Sequence, residues 1–504
     1  MRLMLAALCL SLTLQLPVHA RSAVEGVWLF DDAPSYPGVT MLEVADDAGV
    51  ISGSVTTEWY GPIRLENARI EGDTLSFDLR NLNDKAHPTR RWTARFTPAG
   101  VKLTGDIWYA HVEQDGRRGG VKDAEARAFD FAPDLPPLGS IAPDNLAATP
   151  PMGWSSWNKF GDKIDDATVR AMADALVATG LRDAGYLYVN IDDGWQGQRD
   201  ANGVLQSNAK FPDMKALTDY VHSKGLKIGI YTSQGPRTCA GYEGSYGHIQ
   251  TDAQTFADWG FDYLKHDLCS GEWFYDDADE VKRSYYEMGL ALKATGRPML
   301  YSLCQYGRFH VSEWGRSVGG HLWRTTGDIT DDYKTMSDIG FERNPTFGHA
   351  GPGGWNDPDM LEVGNGGMSE DEYVTHMTLW AIQAAPLIMG HDLRQTSASA
   401  LRLLKNRDVI AIDQDARGVQ GRVVREEGPL EIWRKELADG SVALALFNRG
   451  EVAAQMTPTA ADANLARLTR VRDLWRGAAV AVDDLHFTVP AHGAVMLRVH
   501  GESI

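Results

Sequence analysis

Polarity alternates residue by residue through much of the first quarter of the chain. Ala68-Arg69-Ile70 and Thr74-Leu75-Ser76-Phe77-Asp78-Leu79 flank the turn Glu71-Gly72-Asp73. Trp92-Thr93-Ala94-Arg95-Phe96 and Val101-Lys102-Leu103 do the same around Thr97-Pro98-Ala99-Gly100. A period of two is that of half-buried strands. No helix-period stretch interrupts it, so residues 24–130 predict an antiparallel β domain, a sandwich or a small barrel. Residues 131–148 are rich in proline and poor in bulky apolar side chains, the composition of a linker.

From 149 to 417 the pattern changes: short apolar runs alternate with helix-period stretches. Asp165 and Asp166 precede Val169, Met172, Ala173, Leu176 and Val177, which share one helical face that Gly180 terminates. Met214, Leu217 and Val221 line a second helix, and Ser369 with Glu372 forms a capping box for a later one. Strands are predicted at 151–154, 186–191, 226–231, 263–265, 299–303, 322–326, weakly near Gly354, and at 387–389. Eight βα units in this length have the size of a (β/α)8 TIM barrel, with a doubly wound sheet as the structural alternative. Residues 418–504 return to strands, among them Leu430-Glu431-Ile432-Trp433, and predict a C-terminal antiparallel β-sandwich domain.

Composition narrows the function. The 504 residues carry a formal net charge of −19, which argues against nucleic acid, since phosphate binding needs clustered Lys and Arg. Residues 1–20 read as a secretory signal: Arg2, an apolar run through Leu16, then Val18-His19-Ala20 before the cut. That run is too short to span a membrane. An exported, soluble protein of the periplasm or exterior is therefore expected, with one disulfide permitted among Cys239, Cys269 and Cys304.

In barrels the catalytic groups come from the C-terminal ends of the strands. Those ends here carry Asp192-Asp193, Tyr231, Lys265-His266-Asp267, Gln305, Arg324, Asp328, Asp357 and Asp359. Carboxylates dominate, no His/Cys/Glu set has zinc spacing, and no serine sits in a nucleophile elbow, so neither metal nor cofactor is expected. Asp200-Ala201-Asn202-Gly203 has too few acidic ligands for a calcium loop and reads as a turn. Paired carboxylates among hydroxyl-binding groups and tryptophans suit glycoside hydrolysis. The bland alternative makes these aspartates caps of the following helices.

The motifs themselves are familiar. Met152-Gly153-Trp154-Ser155-Ser156-Trp157-Asn158, Asn190-Ile191-Asp192-Asp193-Gly194-Trp195 and Gly229-Ile230-Tyr231 with Thr238-Cys239 come first. Asp262-Tyr263-Leu264-Lys265-His266-Asp267-Leu268-Cys269, Trp323-Arg324 to Asp328-Ile329, and Trp355-Asn356-Asp357-Pro358-Asp359-Met360-Leu361 follow. Pro386-Leu387-Ile388-Met389-Gly390-His391-Asp392-Leu393 and Ile410-Ala411-Ile412-Asp413-Gln414-Asp415 complete an ordered series. From about residue 149 to the C-terminus it resembles the family 27 glycoside hydrolases, the melibiase type of α-galactosidase, while the N-terminal β domain lies outside the resemblance.

The resemblance implies a retaining exo-glycosidase acting on terminal α-D-galactosyl residues. It makes Asp267 the nucleophile and Asp328 the acid/base. It assigns Asp192 and Asp193 to the 4- and 6-hydroxyls, Lys265 to the 3- and 4-hydroxyls, and Arg324 to the 2- and 3-hydroxyl side. Trp157, Tyr231 and Met360 become walls of the site, and Cys239–Cys269 a disulfide bordering it. Lys265, two residues from Asp267 on one strand, is expected to lower the nucleophile's pKa, while the negative charge of Asp267 would hold the proton of Asp328. Closing a loop of about 30 residues, the disulfide is worth about 3–4 kcal/mol.

The chain also departs from the family. Gly194 stands where eukaryotic members often have cysteine, and Cys304 lacks its usual partner, so a buried free thiol is expected. Gln305-Tyr306-Gly307 replaces the segment that reads the sugar's 2-position, which places Gln305 among the substrate-binding candidates. The competing readings are a β-L-arabinopyranosidase, an α-N-acetylgalactosaminidase, an isomaltose-releasing dextranase and, from another class, a non-catalytic sugar-binding protein.

Overall fold

The computed structural model describes residues 24–30, 39–57, 62–80, 89–107, 110–120, 135–144, 146–271, 275 and 277–504. The predicted export signal lies outside them. The chain divides into two compact units, Met1–Asp130 and Phe131–Ile504.

Among the described residues of the first unit, nine antiparallel strands run β1 (Gly26–Leu29), β2 (Val39–Asp47), β3 (Val50–Thr57), β4 (Pro62–Arg64), β5 (Glu66–Glu71), β6 (Thr74–Arg80), β7 (Thr89–Thr97), β8 (Gly100–Ile107) and β9 (Ala110–Arg118). The sheet order is β4-β3-β2-β1-β9-β8-β7-β6-β5. Its two outer strands, β4 and β5, are joined by Leu65 alone, whose amide donates to Gly53 O of β3 at 3.0 Å. The sheet therefore curls until its edges meet, which removes the open edges that invite aggregation. Alternation decides the inside: Trp92, Ala94 and Phe96 of β7 are buried while their neighbours face out.

The second unit opens with eight parallel strands: β10 (Met152–Ser155), β11 (Tyr188–Asn190), β14 (Lys227–Ser233), β15 (Tyr263–Asp267), β16 (Leu300–Cys304), β17 (Leu322–Arg324), β18 (Trp355–Asp357) and β19 (Leu387–Met389). β19 pairs back onto β10, and Leu361, just past β18, bridges Met389, so the sheet closes as a (β/α)8 barrel. All eight strands coincide with predicted ones to within a few residues, including the weak one near Gly354. The hairpin β12 (Gln196–Arg199) and β13 (Leu205–Ser207) is inserted after β11, and its turn is built on Asp200, whose Oδ1 accepts from Asn202 N and Val204 N.

The helices follow their caps. Asp165 accepts from Thr168 N and starts the helix Asp166–Ala178, which buries Val169, Met172, Ala173 and Leu176. Ser369 and Glu372 close both halves of a capping box on Glu370–Ile382.

The C-terminal strands are β20 (Arg422–Glu427), β21 (Leu430–Glu436), β22 (Val442–Asn448), β23 (Ala454–Met456), β24 (Leu465–Asp473), β25 (Ala478–Val480), β26 (Phe487–Val489) and β27 (Ala494–Ser503). They form a six-stranded antiparallel sheet, β20-β21-β22-β27-β24-β25, and the pair β23-β26. Trp433, Ala443, Phe447 and Met496 belong to the same continuous core as the barrel, which welds this β domain to it.

Candidate active site

The C-terminal edge of the barrel gathers the carboxylates. Beyond β11 the chain crosses the barrel mouth as Asp192-Asp193. Asp192 Oδ1 accepts from the Asp193 amide at 2.9 Å, and its Oδ2 meets Lys265 Nζ at 2.9 Å. Asp193 accepts from the amides of Ala240 at 2.7 Å and Gly194 at 2.8 Å. Neither caps a helix, because the chain runs on into the β12–β13 hairpin; among the described residues the capping aspartates are Asp165, Asp213, Asp277, Asp332 and Asp392. Gly194 sits at φ +105 with the Asp162 Cα only 2.8 Å from where a Cβ would stand, so this backbone leaves no room for a cysteine here.

Lys265 and Asp267 lie two residues apart on β15, on the same side of its pleat. From β14, the Tyr231 hydroxyl donates to Asp267 Oδ2 at 3.2 Å. From beyond β16, the Tyr306 hydroxyl donates to Oδ1 at 2.7 Å, and the Leu268 amide reaches the same oxygen at 2.8 Å. Arg324, at the end of β17, pairs with Asp328 at 3.0 Å and with Asp359 at 3.2 Å. Asp328 is largely exposed and Asp267 buried. One pocket is lined by Trp157, Asn158, Asp192, Asp193, Tyr231, Cys239, Lys265, Asp267, Tyr306, Arg324, Asp328, Asp359 and Met360. Asp267 and Asp328 thus open onto the same cavity. An adjoining hollow that shares Asp192, Lys265, Arg324, Asp359 and Met360 is also lined by Ser155, Tyr263, Ser302 and Asp357.

Crowded, buried carboxylates shift their protonation. Burial pushes Asp193 up to about 7, against the amides of Ala240 and Gly194 and the Thr238 hydroxyl, with the charge of Asp192 adding to the rise. Burial also lifts Asp267 above its usual range. The Lys265 ammonium and the Tyr306 hydroxyl pull it down, and Asp328 pushes it up. Lys265 thus lowers Asp267 as expected, but the net shift is upward because burial is the larger influence. The ammonium is engaged by Asp192, and the desolvation of an enclosed carboxylate outweighs it. Burial opposes the charge of Lys265 and of Arg324, yet the surrounding carboxylates, Asp192 and Asp359 foremost, hold both cations far above their ordinary values.

Ten of the expected residues meet at this pocket: Asp267, Asp328, Trp157, Asp192, Asp193, Tyr231, Lys265, Arg324, Met360 and Cys239. Cys239 and Cys269 form the expected disulfide across 30 residues, and Cys304 is a buried free thiol. Gln305 is the correction. It is fully buried behind the wall, its Nε2 donating to Arg324 O at 2.8 Å, and Tyr306 takes the place in the pocket instead. The backbone passes into the left-handed region at Tyr306, φ +62, which turns Gln305 away and the tyrosine in. Asn158, Tyr306 and Asp359 complete the lining without having been assigned a role from sequence. Asp359 was visible as a strand-end carboxylate, and Asn158 belongs to the first-strand motif.

Comparison with known proteins agrees with this geometry. Residues 149–415 match the family model described as alpha galactosidase A, and 427–499 that of the alpha galactosidase C-terminal beta sandwich domain. An α-galactosidase of Cyamopsis tetragonoloba is 47% identical over 341 residues, covering 66% of this chain and 82% of that one. The crystal structure of α-galactosidase I from Mortierella vinacea is 35% identical with a TM-score of 0.67, covering 72% of this chain and 99% of its own. A candidate α-galactosidase/melibiase from Bacteroides fragilis is 32% identical with a TM-score of 0.68, covering 94% of this chain and 98% of its own, a share that reaches into the N-terminal unit. With its barrel matched over more than half of its length, the chain belongs to the melibiase-type α-galactosidases, glycoside hydrolase family 27.

Proposed function

We propose that this protein is a retaining exo-α-galactosidase that removes terminal α-D-galactosyl residues. The single observation that carries the reading is that Asp267 and Asp328 line one pocket together with Asp192, Asp193, Lys265 and Arg324. Asp267 attacks the anomeric carbon as the glycosidic bond breaks, and Asp328 gives its proton to the departing oxygen. Asp328 then takes a proton from water, which cleaves the glycosyl-enzyme and restores the original anomeric configuration. The contrast in burial suits these roles: Asp267 is enclosed beside the sugar, while Asp328 stands where the leaving group and water arrive.

Asp192 and Asp193 accept from the 4- and 6-hydroxyls, Lys265 donates to the 3- and 4-hydroxyls, and Arg324 serves the 2- and 3-hydroxyl side. Charged partners make such hydrogen bonds strong and punish a sugar that cannot form them. Trp157, Tyr231 and Met360 close the walls. Among the described residues no helix is long and apolar enough to cross a membrane. The pattern of residues 1–20 and the Cys239–Cys269 disulfide support export to the periplasm or exterior.

Hydrolysis of p-nitrophenyl α-galactoside is tested beside the β-L-arabinopyranoside and the α-N-acetylgalactosaminide. The galactoside is expected to give the highest kcat/KM, and negligible turnover of it overturns the reading. Asp267→Asn is expected to lower kcat by about 1,000-fold or more while galactose still binds. Activity that survives this change removes Asp267 from its role.

A further inference from the structure

Tyr306 reaches the pocket through an unusual backbone. It follows β16 at φ +62 and precedes Gly307 at φ +77, whose amide donates to Arg324 O at 3.0 Å. A Cβ on Gly307 would lie 2.1 Å from Thr325 O, so the turn is pressed against the strand-end of β17. A non-glycine residue held in the left-handed region by such anchoring is the kind of strain that collects at functional sites.

The turn delivers the phenol into a cage. Its oxygen lies 2.7 Å from Asp267 Oδ1, 3.4 Å from the Cys269 sulfur and 3.6 Å from the Cys239 sulfur. The carboxylate is by far the strongest acceptor of the three, so the hydroxyl hydrogen goes to Asp267. Burial, with Asp267 beside it, pushes the phenol far above its usual value, so it is a donor at every working pH. Oδ1 therefore holds two donors at short range, the Tyr306 hydroxyl and the Leu268 amide, whereas Oδ2 meets the Tyr231 hydroxyl at a longer 3.2 Å.

We propose that Tyr306 is the positioning residue of the nucleophile: its hydroxyl and the Leu268 amide pin Oδ1 of Asp267, so that Oδ2 is the oxygen presented to the anomeric carbon. This rests on the reading of Asp267 as nucleophile. An Oδ2 lone pair forms the new bond, the electrons of the glycosidic bond leave with the departing oxygen, and that oxygen takes the proton of Asp328. The Tyr306 proton stays on the phenol throughout. Oδ1 becomes the ester carbonyl, a weaker acceptor, so the hydrogen bond favours the free carboxylate and helps it leave in the second step.

The groups facing Asp267 come from four strands and the turns after them: Lys265 on its own strand, Tyr231 on β14, Cys304 on β16 with Tyr306 just beyond it, and Arg324 on β17 with Asp328 beyond it. Burial raises the acid, Asp328 adds to the rise, and Lys265, Tyr306 and the Cys304 thiol oppose it. Removing the Tyr306 donor takes away one of the lowering influences, so Asp267 protonates at higher pH.

The test is the pH profile of the glycosylation rate for Tyr306→Phe, measured in single turnover at saturating substrate so that bound sugar keeps Asp193 ionised, with p-nitrophenyl α-galactoside and with α-galactosyl fluoride, whose leaving group depends little on an acid. Upward displacement of the acid limb by about half a pH unit or more with both substrates is expected, with unchanged near-UV circular dichroism. An acid limb that stays in place overturns the proposal, whatever happens to the maximal rate. Should the phenylalanine variant fail to fold, Tyr306→Trp, which keeps a ring without this hydroxyl, carries the same expectation. If the wild-type chain hydrolyses neither galactoside, it is the proposed activity that has failed.

Discussion

Asp193 shows how one side chain in this pocket is set by its surroundings. It is buried, its oxygens are engaged by amides, and it titrates at about 7 instead of near 4. A galactose hydroxyl that donates to it favours the ionised form, so below pH 7 binding must expel a proton. Galactose affinity is expected to rise as pH climbs towards 7 and to level off above it. Calorimetry in two buffers of different ionisation enthalpy should show proton release at pH 6, and Asp193→Asn should abolish that release along with most of the affinity. The carboxylates of the site were legible in the sequence because strand ends of a barrel point at one face, which fixes them by position alone. The exchange of Gln305 for Tyr306 was not. Which of two adjacent residues faces a pocket depends on the turn of the backbone, and here the next residue, Gly307, is packed against Arg324 O and Thr325 O, brought near only by the fold.

At the scale of elements, caps and loops carry the local decisions. The Ala240 amide that binds Asp193 sits next to Cys239, so the disulfide also holds a hydrogen-bond donor in place beside the sugar site. Replacing both Cys239 and Cys269 by serine is expected to cost about 3–4 kcal/mol, read as a lowered thermal midpoint. The proline-rich stretch behaves differently from a free linker where it is described. Leu135 and Ile141 are buried, Arg283 Nε donates to Pro136 O at 2.9 Å, and Ile141 N donates to Ser317 O at 2.8 Å. Asp144 pairs with Lys293 and with His321; although burial works against it, these partners bring the carboxyl from 3.8 down to about 2. A lowered acid stabilises the fold above its unfolded value, and that contribution is lost as pH falls from about 4 to about 2. Asp144→Asn is expected to cost about 1–2 kcal/mol at pH 6, discounted for partial exposure, and to match the wild type in thermal midpoint near pH 2. Composition reads such a stretch as a linker because prolines lack amide donors and apolar residues are few. Two well-placed apolar side chains and one aspartate suffice to dock it.

For the whole molecule, the boundary between the units becomes a testable one. The barrel unit begins near 131 and the family match at 149, and the described residues between, 135–144 and 146–148, include Leu135 of the barrel's core. A chain beginning at residue 131 is expected to fold and to hydrolyse p-nitrophenyl α-galactoside with wild-type kcat/KM. One beginning at 149 loses the burial of Leu135 and Ile141, about 3–6 kcal/mol, and should melt at clearly lower temperature. Equal thermal midpoints for the two would show that the docked segment contributes nothing. The sequence alone determined the architecture, for a reason of period: repeats of two and 3.6 residues, with caps such as Asp165 and Ser369, are properties of the local chain. It also placed the acids, since eight short strands in series bring their ends to one rim. Tertiary structure alone decided the ionisation of Asp267, the facing of Tyr306 and the docking of residues 135–144. Each depends on burial and on partners dozens of residues away, and desolvation is a property of the packed molecule that no stretch of sequence carries by itself.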